Sequence, residues 1–161
     1  MINGGTITAN GGSEAAGIGC GPEADSGDIV INSGKVTAYG GHKSAGIGSG
    51  VMGNCGDIVI NGGTVTATGG YEGVGIGSGA SGSCRDITIS GGTVTAEAGY
   101  GSYCPGIGAG KEQATCGNIL IKNTVTEVWA VANAENAPVG AGQSSTCGIV
   151  RIESGANVNL I

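Results

Sequence analysis

The sequence predicts an all-β fold: a right-handed parallel β-helix, or β-solenoid, of about five coils with three short strands each. Three observations carry this. A motif of 29–32 residues recurs along the 161-residue chain. Each copy holds two runs that alternate with β-branched residues, "DIVI" and "TVTA", and a very short extended run, "GIG", all divided by glycine-rich corners. No copy has the apolar period of a helix.

The copies read as 2–30, 31–59, 60–88 and 89–120, then a worn copy at 121–150 and a C-terminal cap at 151–161, all in one domain, 1–161. Ile31, Ile60, Ile89, Ile121 and Ile152 mark the register, with steps of 29, 29, 32 and 31. The extra residues fall before Gly106-Ile107-Gly108 and in the region 132–137. Three short strands cannot bury their inner face alone, but they can when stacked on identical neighbours. Parallel strands stack ~4.8 Å apart, so the rod spans roughly 25 Å. Parallel crossovers are overwhelmingly right-handed.

Alternation sends every second residue inward. Ile29, Ile58, Ile87, Ile119 and Val150 form one expected stack, and Ile31, Ile60, Ile89, Ile121 and Ile152 the next. The second strand contributes Ile7, Val36, Val65, Val94, Val125 and Val158, with Ala9, Ala38, Ala67 and Ala96 beside them. Ile18, Ile47, Ile76, Ile107 and Val139 fill the third side. Each such side chain contributes roughly 1.5–3 kcal/mol on burial. The 37 glycines then supply corners and close backbone packing.

Composition excludes several classes. There are 3 prolines and no G-X-Y period, which rules out a collagen-like triple helix. Net charge is −6, from 12 acidic and 6 basic residues, which disfavours nucleic acid and anionic membrane surfaces. No apolar run reaches 18 residues, so no membrane insertion is expected. The start "MINGGTITANGG" has no signal-peptide pattern and is already in repeat register, which points to Met1 opening a segment of a longer protein or precursor.

The motifs "GGTVTATGG" (62–70), "AGIGSG" (45–50) and "GDIVINGG" (56–63) resemble the glycine-rich β-helix repeats of large bacterial cell-surface proteins. The likeness covers nearly the whole chain and rests on structural residues. It implies a secreted or surface-attached, extracellular protein, and some domains of this kind bind carbohydrate. The cysteines before the "DIV" runs are additional to that pattern.

Four features carry chemistry. Cys55, Cys84, Cys116 and Cys147 share one repeat position, close enough in stacked coils for disulfides Cys55–Cys84 and Cys116–Cys147. Free buried thiols are the other reading, and a zinc site fits a straight column poorly. Cys20 and Cys104 lie elsewhere and look unpaired. Asp28, Asp57 and Asp86, followed by Asn118, also stack, either as corner acceptors of backbone N–H groups or as Ca²⁺ ligands. The pairs Thr6/Thr8, Thr64/Thr66, Thr93/Thr95 and Thr124/Thr126, with Thr37, form an array like the ice-binding face of some β-solenoid antifreeze proteins, broken by Lys35. Tyr39, Tyr71, Tyr100, Tyr103 and Trp129 offer rings for stacking on sugars, with Lys43, Glu14 and Glu72 nearby for hydrogen bonds. Catalysis has little to work with, since His42 is the one histidine and "GIGSG" lacks the Lys-Ser/Thr of a phosphate loop.

The expectation is a non-catalytic surface or secreted module for adhesion, with polysaccharide as partner and no cofactor unless Ca²⁺. A ligand-free stalk or fibre segment, with end-to-end self-association, and an ice-binding face are the alternatives.

Overall fold

The computed structural model describes residues 1–101, 103–133 and 136–161. These form a right-handed parallel β-solenoid of about five turns, and every strand pairing is parallel. Among the described residues there is no helix, so none is long and apolar enough to cross a membrane.

The three expected strands are present in each coil. The D-I-V-I and T-V-T strands belong to one ten-stranded sheet, joined through the long strand Ile29–Tyr39. The G-I-G strands form a separate five-stranded sheet. The structure adds a fourth ladder of two-residue strands, Asn54–Cys55, Ser83–Cys84, Thr115–Cys116 and Thr146–Cys147. The turn between the G-I-G and D-I-V-I faces is therefore itself a side of the coil, and it points its cysteines inward.

The core follows the alternation. Ile31, Ile60, Ile89 and Ile121 are fully buried, as are Ile58, Ile87, Ile119, Ile47, Ile76 and Ile107. One stack departs from its expected register. Val94 pairs with Val128, and Thr95 pairs with Trp129. Val125, though buried, lies in the preceding corner, and Thr124 and Thr126 are not on the T-V-T face. The reason is charge: placing Val125 opposite Val94 would send Glu127 to the inward position of Ala96, burying an unpaired carboxylate. The corner lengthens instead, so that Val128 and Ala130 point inward. Part of the long loop at 132–137 lies outside the described residues.

Corners are held by side chains that reach from coil to coil. Asp28 Oδ1 accepts the N–H of Asp57 at 2.9 Å, Asp57 that of Asp86 at 3.2 Å, and Asp86 that of Asn118 at 2.7 Å. Asn118 continues the series by accepting from Ile149 at 2.9 Å. At the next corner Asn32 donates to Asn3 and Asn61 to Asn32, each at 2.8 Å.

Glycine is required most where coils touch. Gly19, Gly48, Gly77 and Gly108 have φ of 138–139°, and a Cβ on Gly77 would overlap the carbonyl oxygen of Gly108. At the corner between the D-I-V-I and T-V-T strands Gly63 and Gly92 hold φ of 91° and 81°, but the two corners flanking the G-I-G face use other residues at positive φ. Glu14, Lys43 and Glu72 hold φ of 57–58° at one corner, and Met52 and Ser81 hold 53–54° at the next. Residues 151–161, expected as a cap, continue both ladders: Ile121 pairs with Ile152 and Ala130 with Leu160. Ile152 and Leu160 are exposed.

A matched pair of substitutions tests the packing rule. Gly77→Ala is expected to lower stability by at least about 2 kcal/mol in denaturant melts, whereas the same change at Gly12 should stay within about 0.5 kcal/mol. Nothing lies within 4 Å of a Cβ at Gly12.

Candidate functional site

His42, Tyr71, Tyr100, Tyr103 and four charged side chains gather on one edge, where the two corners flanking the short G-I-G face come together. The backbone builds it. Lys43 N–H donates to the Tyr71 carbonyl and Glu72 N–H to that of Tyr100, which sets His42, Tyr71 and Tyr100 at successive coils. The carbonyls of Glu14, Lys43 and Tyr103 accept from Val51, Ala80 and Gln143 across the G-I-G turn. Tyr103 thus continues the column of Glu14, Lys43 and Glu72, within the insertion expected before Gly106-Ile107-Gly108.

Tyr71 stacks on His42 with ring centroids 5.6 Å apart and planes 14° from parallel. It also lies along Gly101, where a Cβ would stand 2.6 Å from its Cε2 atom. Tyr71 touches both His42 and Gly101 yet is 56 % exposed, beside Tyr100 at 85 % and Tyr103 at 50 %. A shallow groove of about 290 Å³ beside Tyr100 is lined by Glu97, Ala98, Val131, Ala132 and Asn133.

Next to the rings is a four-member ionic network. Lys43 Nζ is 2.7 Å from Glu112 and 4.0 Å from Glu72, and Lys111 Nζ is 2.6 Å from Glu72 and 3.5 Å from Glu112. It ties three coils together. The hydrogen bond from Lys43 holds the Glu112 carboxyl below its ordinary range, against a smaller opposing effect of burial. Burial disfavours the Lys111 ammonium, but the hydrogen bond and charge of Glu72, aided by Glu112, hold its pKa above the ordinary value. Lys111 and Glu112 were not among the sequence candidates, because only the fold brings the second corner against the first.

Tyr39 and Trp129 stand apart, on the T-V-T face. Thr8, Thr37, Thr66 and Thr95 form an unbroken column there, followed by Trp129 and Asn159. Beside it run Thr6, Lys35, Thr64, Thr93 and Glu127. Tyr39 is 43 % exposed in the third column and Lys35 is exposed in the first, so bulky and charged side chains interrupt the threonine array.

The cysteines are free thiols in register, Cys55 opposite Cys84 and Cys116 opposite Cys147. Burial pushes the Cys55 thiol up to about 12, with Cys20 and the Asp column adding to it, and burial likewise takes Cys104 to about 12. For Cys116, a hydrogen bond with Cys147 acts downward, but one with Cys84 and burial together raise its pKa. The Asp column is engaged in the corner bonds described above, and Arg85 Nε lies 3.7 Å from Asp57. Among the described residues, no group of three or more His, Cys, Asp or Glu side chains is arranged to hold a metal ion.

The family described as "Beta helix repeat" matches residues 1–22, 29–51, 58–80 and 87–111, more than half of the chain. The protein is a member of the β-helix repeat family. Each matched stretch runs from the D-I-V-I face through the T-V-T face to the G-I-G face. The segments carrying Cys55, Cys84 and Cys116 fall outside the matched stretches, while Tyr71, Tyr100 and Tyr103 fall within them. Neither a curated protein nor a solved structure matches this β-helix chain.

Two outcomes follow. The Glu112 contribution to stability is complete above the carboxylate range and is lost as pH falls through its lowered pKa. That of Lys111 is complete below 10.5 and is lost as pH rises through its raised pKa. Calorimetric melts should therefore fall off in acid, and Glu112→Gln should flatten that acid limb at a cost of about 1 kcal/mol or less at neutral pH. Separately, iodoacetamide at mildly alkaline pH should leave the folded protein unlabelled and add six groups after denaturation, counted by mass spectrometry. A count below six would reveal disulfides between ladder neighbours.

Proposed function

We propose that this β-helix protein is a non-catalytic module, secreted or displayed on a cell surface, that adheres by binding polysaccharide along its tyrosine edge. The observation that carries the reading is the meeting of Tyr100 and Tyr103, both half or more exposed, with the Lys43–Glu112–Lys111–Glu72 network on a rigid surface. Sugar rings offer apolar C–H faces to tyrosine and hydroxyls to charged groups, and this edge presents both kinds of partner. Preformed ladders hold the contacts, so little ordering is needed on binding. Tyr71, 56 % exposed and held against His42 and Gly101, adds a third ring to the strip.

Ice binding is the weaker reading, because Lys35, Tyr39 and Trp129 break the threonine face. The exposed Val150, Ile152 and Leu160 favour a second role as a stalk segment, with a further coil of β-helix covering them.

Affinity electrophoresis through gels containing polysaccharides tests the main reading. Retardation by at least one polymer is expected. The Tyr100→Ala/Tyr103→Ala variant should lose about tenfold in affinity or more while keeping its circular dichroism spectrum. Equal retardation of variant and parent would remove the tyrosine edge from the account.

A further inference from the structure

We propose that the ligand of this edge is an uncharged glycan, one free of uronate, sulfate and phosphate groups. This rests on the polysaccharide reading above and narrows it by charge.

Gripping an anionic sugar takes a cation whose charge is not already committed. The edge has two lysines, and both are committed. Lys43 is 2.7 Å from Glu112, and Lys111 is 2.6 Å from Glu72 with only 12 % of its side chain exposed. The two ammoniums and two carboxylates sum to zero within one closed network. For Lys111 to turn to a sulfate or uronate, it would have to leave Glu72, itself 20 % exposed, with a poorly solvated charge. The imidazole of His42 is engaged face to face with Tyr71.

The surroundings act in the same direction. Among the described residues, the groove beside Tyr100 is lined by one charged side chain, the carboxylate Glu97. The chain as a whole carries −6, which repels polyanions at long range. A neutral glycan meets none of these costs. Its hydroxyls can donate to Glu72, Glu97 and Glu112 and accept from the lysines without disturbing the charge balance.

The test compares neutral polymers (glucan, xylan, mannan) with anionic ones (polygalacturonate, alginate, heparin) in the same electrophoresis, at low and high salt. Retardation by a neutral polymer is expected to survive high salt and to exceed that by any anionic polymer by about tenfold or more. Tighter binding to an anionic polymer, weakening with salt, would overturn this inference and leave the polysaccharide reading standing. Retardation by none of them would overturn both. The variant Glu72→Gln/Glu112→Gln releases both lysines. Once shown to fold by circular dichroism, it should gain retardation by anionic polymers, and failure to gain it would show that ion pairing is not what bars them.

Discussion

Neighbouring coils approach so closely along the G-I-G face that a single methyl group has nowhere to go. A Cβ on Gly48 would overlap the Gly77 carbonyl, and one on Gly77 the Gly108 carbonyl. This contact distance governs much of the rest. It reserves glycine for the faces and turns where backbones meet, at Gly41 and Gly70 as well as on the G-I-G face. The left-handed corner positions beside them then fall to residues with side chains, Glu14, Lys43 and Glu72, at a conformational cost of about 1–2 kcal/mol each. Two members of the ionic network, Lys43 and Glu72, stand at such positions, two residues after Gly41 and Gly70.

Charge is handled by the same economy of position. Three aspartates in a column would repel if left bare, yet each one accepts a backbone N–H of the following coil that the corner would otherwise leave without a partner. The carboxylates thereby complete the ladder where strand pairing stops. The thiols occupy the opposite regime. Cys55, Cys84 and Cys116 point into the core at the fourth ladder, and burial raises the pKa of Cys55.

The fold was largely legible in the sequence because its period is written in the inward positions, and inward positions obey alternation. Ile31, Ile60, Ile89 and Ile121 stack where their spacing puts them. The error came at the worn copy, where Val125 imitates the motif. The inward pair Val128 and Ala130, matching Val94 and Ala96, was the signal that would have corrected it. The candidate site was legible only in part. Tyr71 and Tyr100 align by simple counting, but Tyr103 needs the insertion to be placed, and Lys111 reaches Glu72 only because the G-I-G face is so short. Proximity across two corners is a property of the closed coil and leaves no local trace. For the same reason Tyr39 and Trp129, which look like members of one aromatic set, sit on a different face.

The side-chain bonds of the two corner columns run one way. Asp28 accepts from Asp57, Asp57 from Asp86, Asn3 from Asn32 and Asn32 from Asn61. In these columns the acceptor belongs to the earlier coil and the donor to the later one, whereas Lys43 donates forward to Glu112. The two corners therefore have a direction that the ionic edge does not share. At these corners a closed coil presents ordered oxygens to the segment that follows it. On a ribosome, where the earlier coils emerge first, these two columns would offer each new turn its corner acceptors in the order of synthesis.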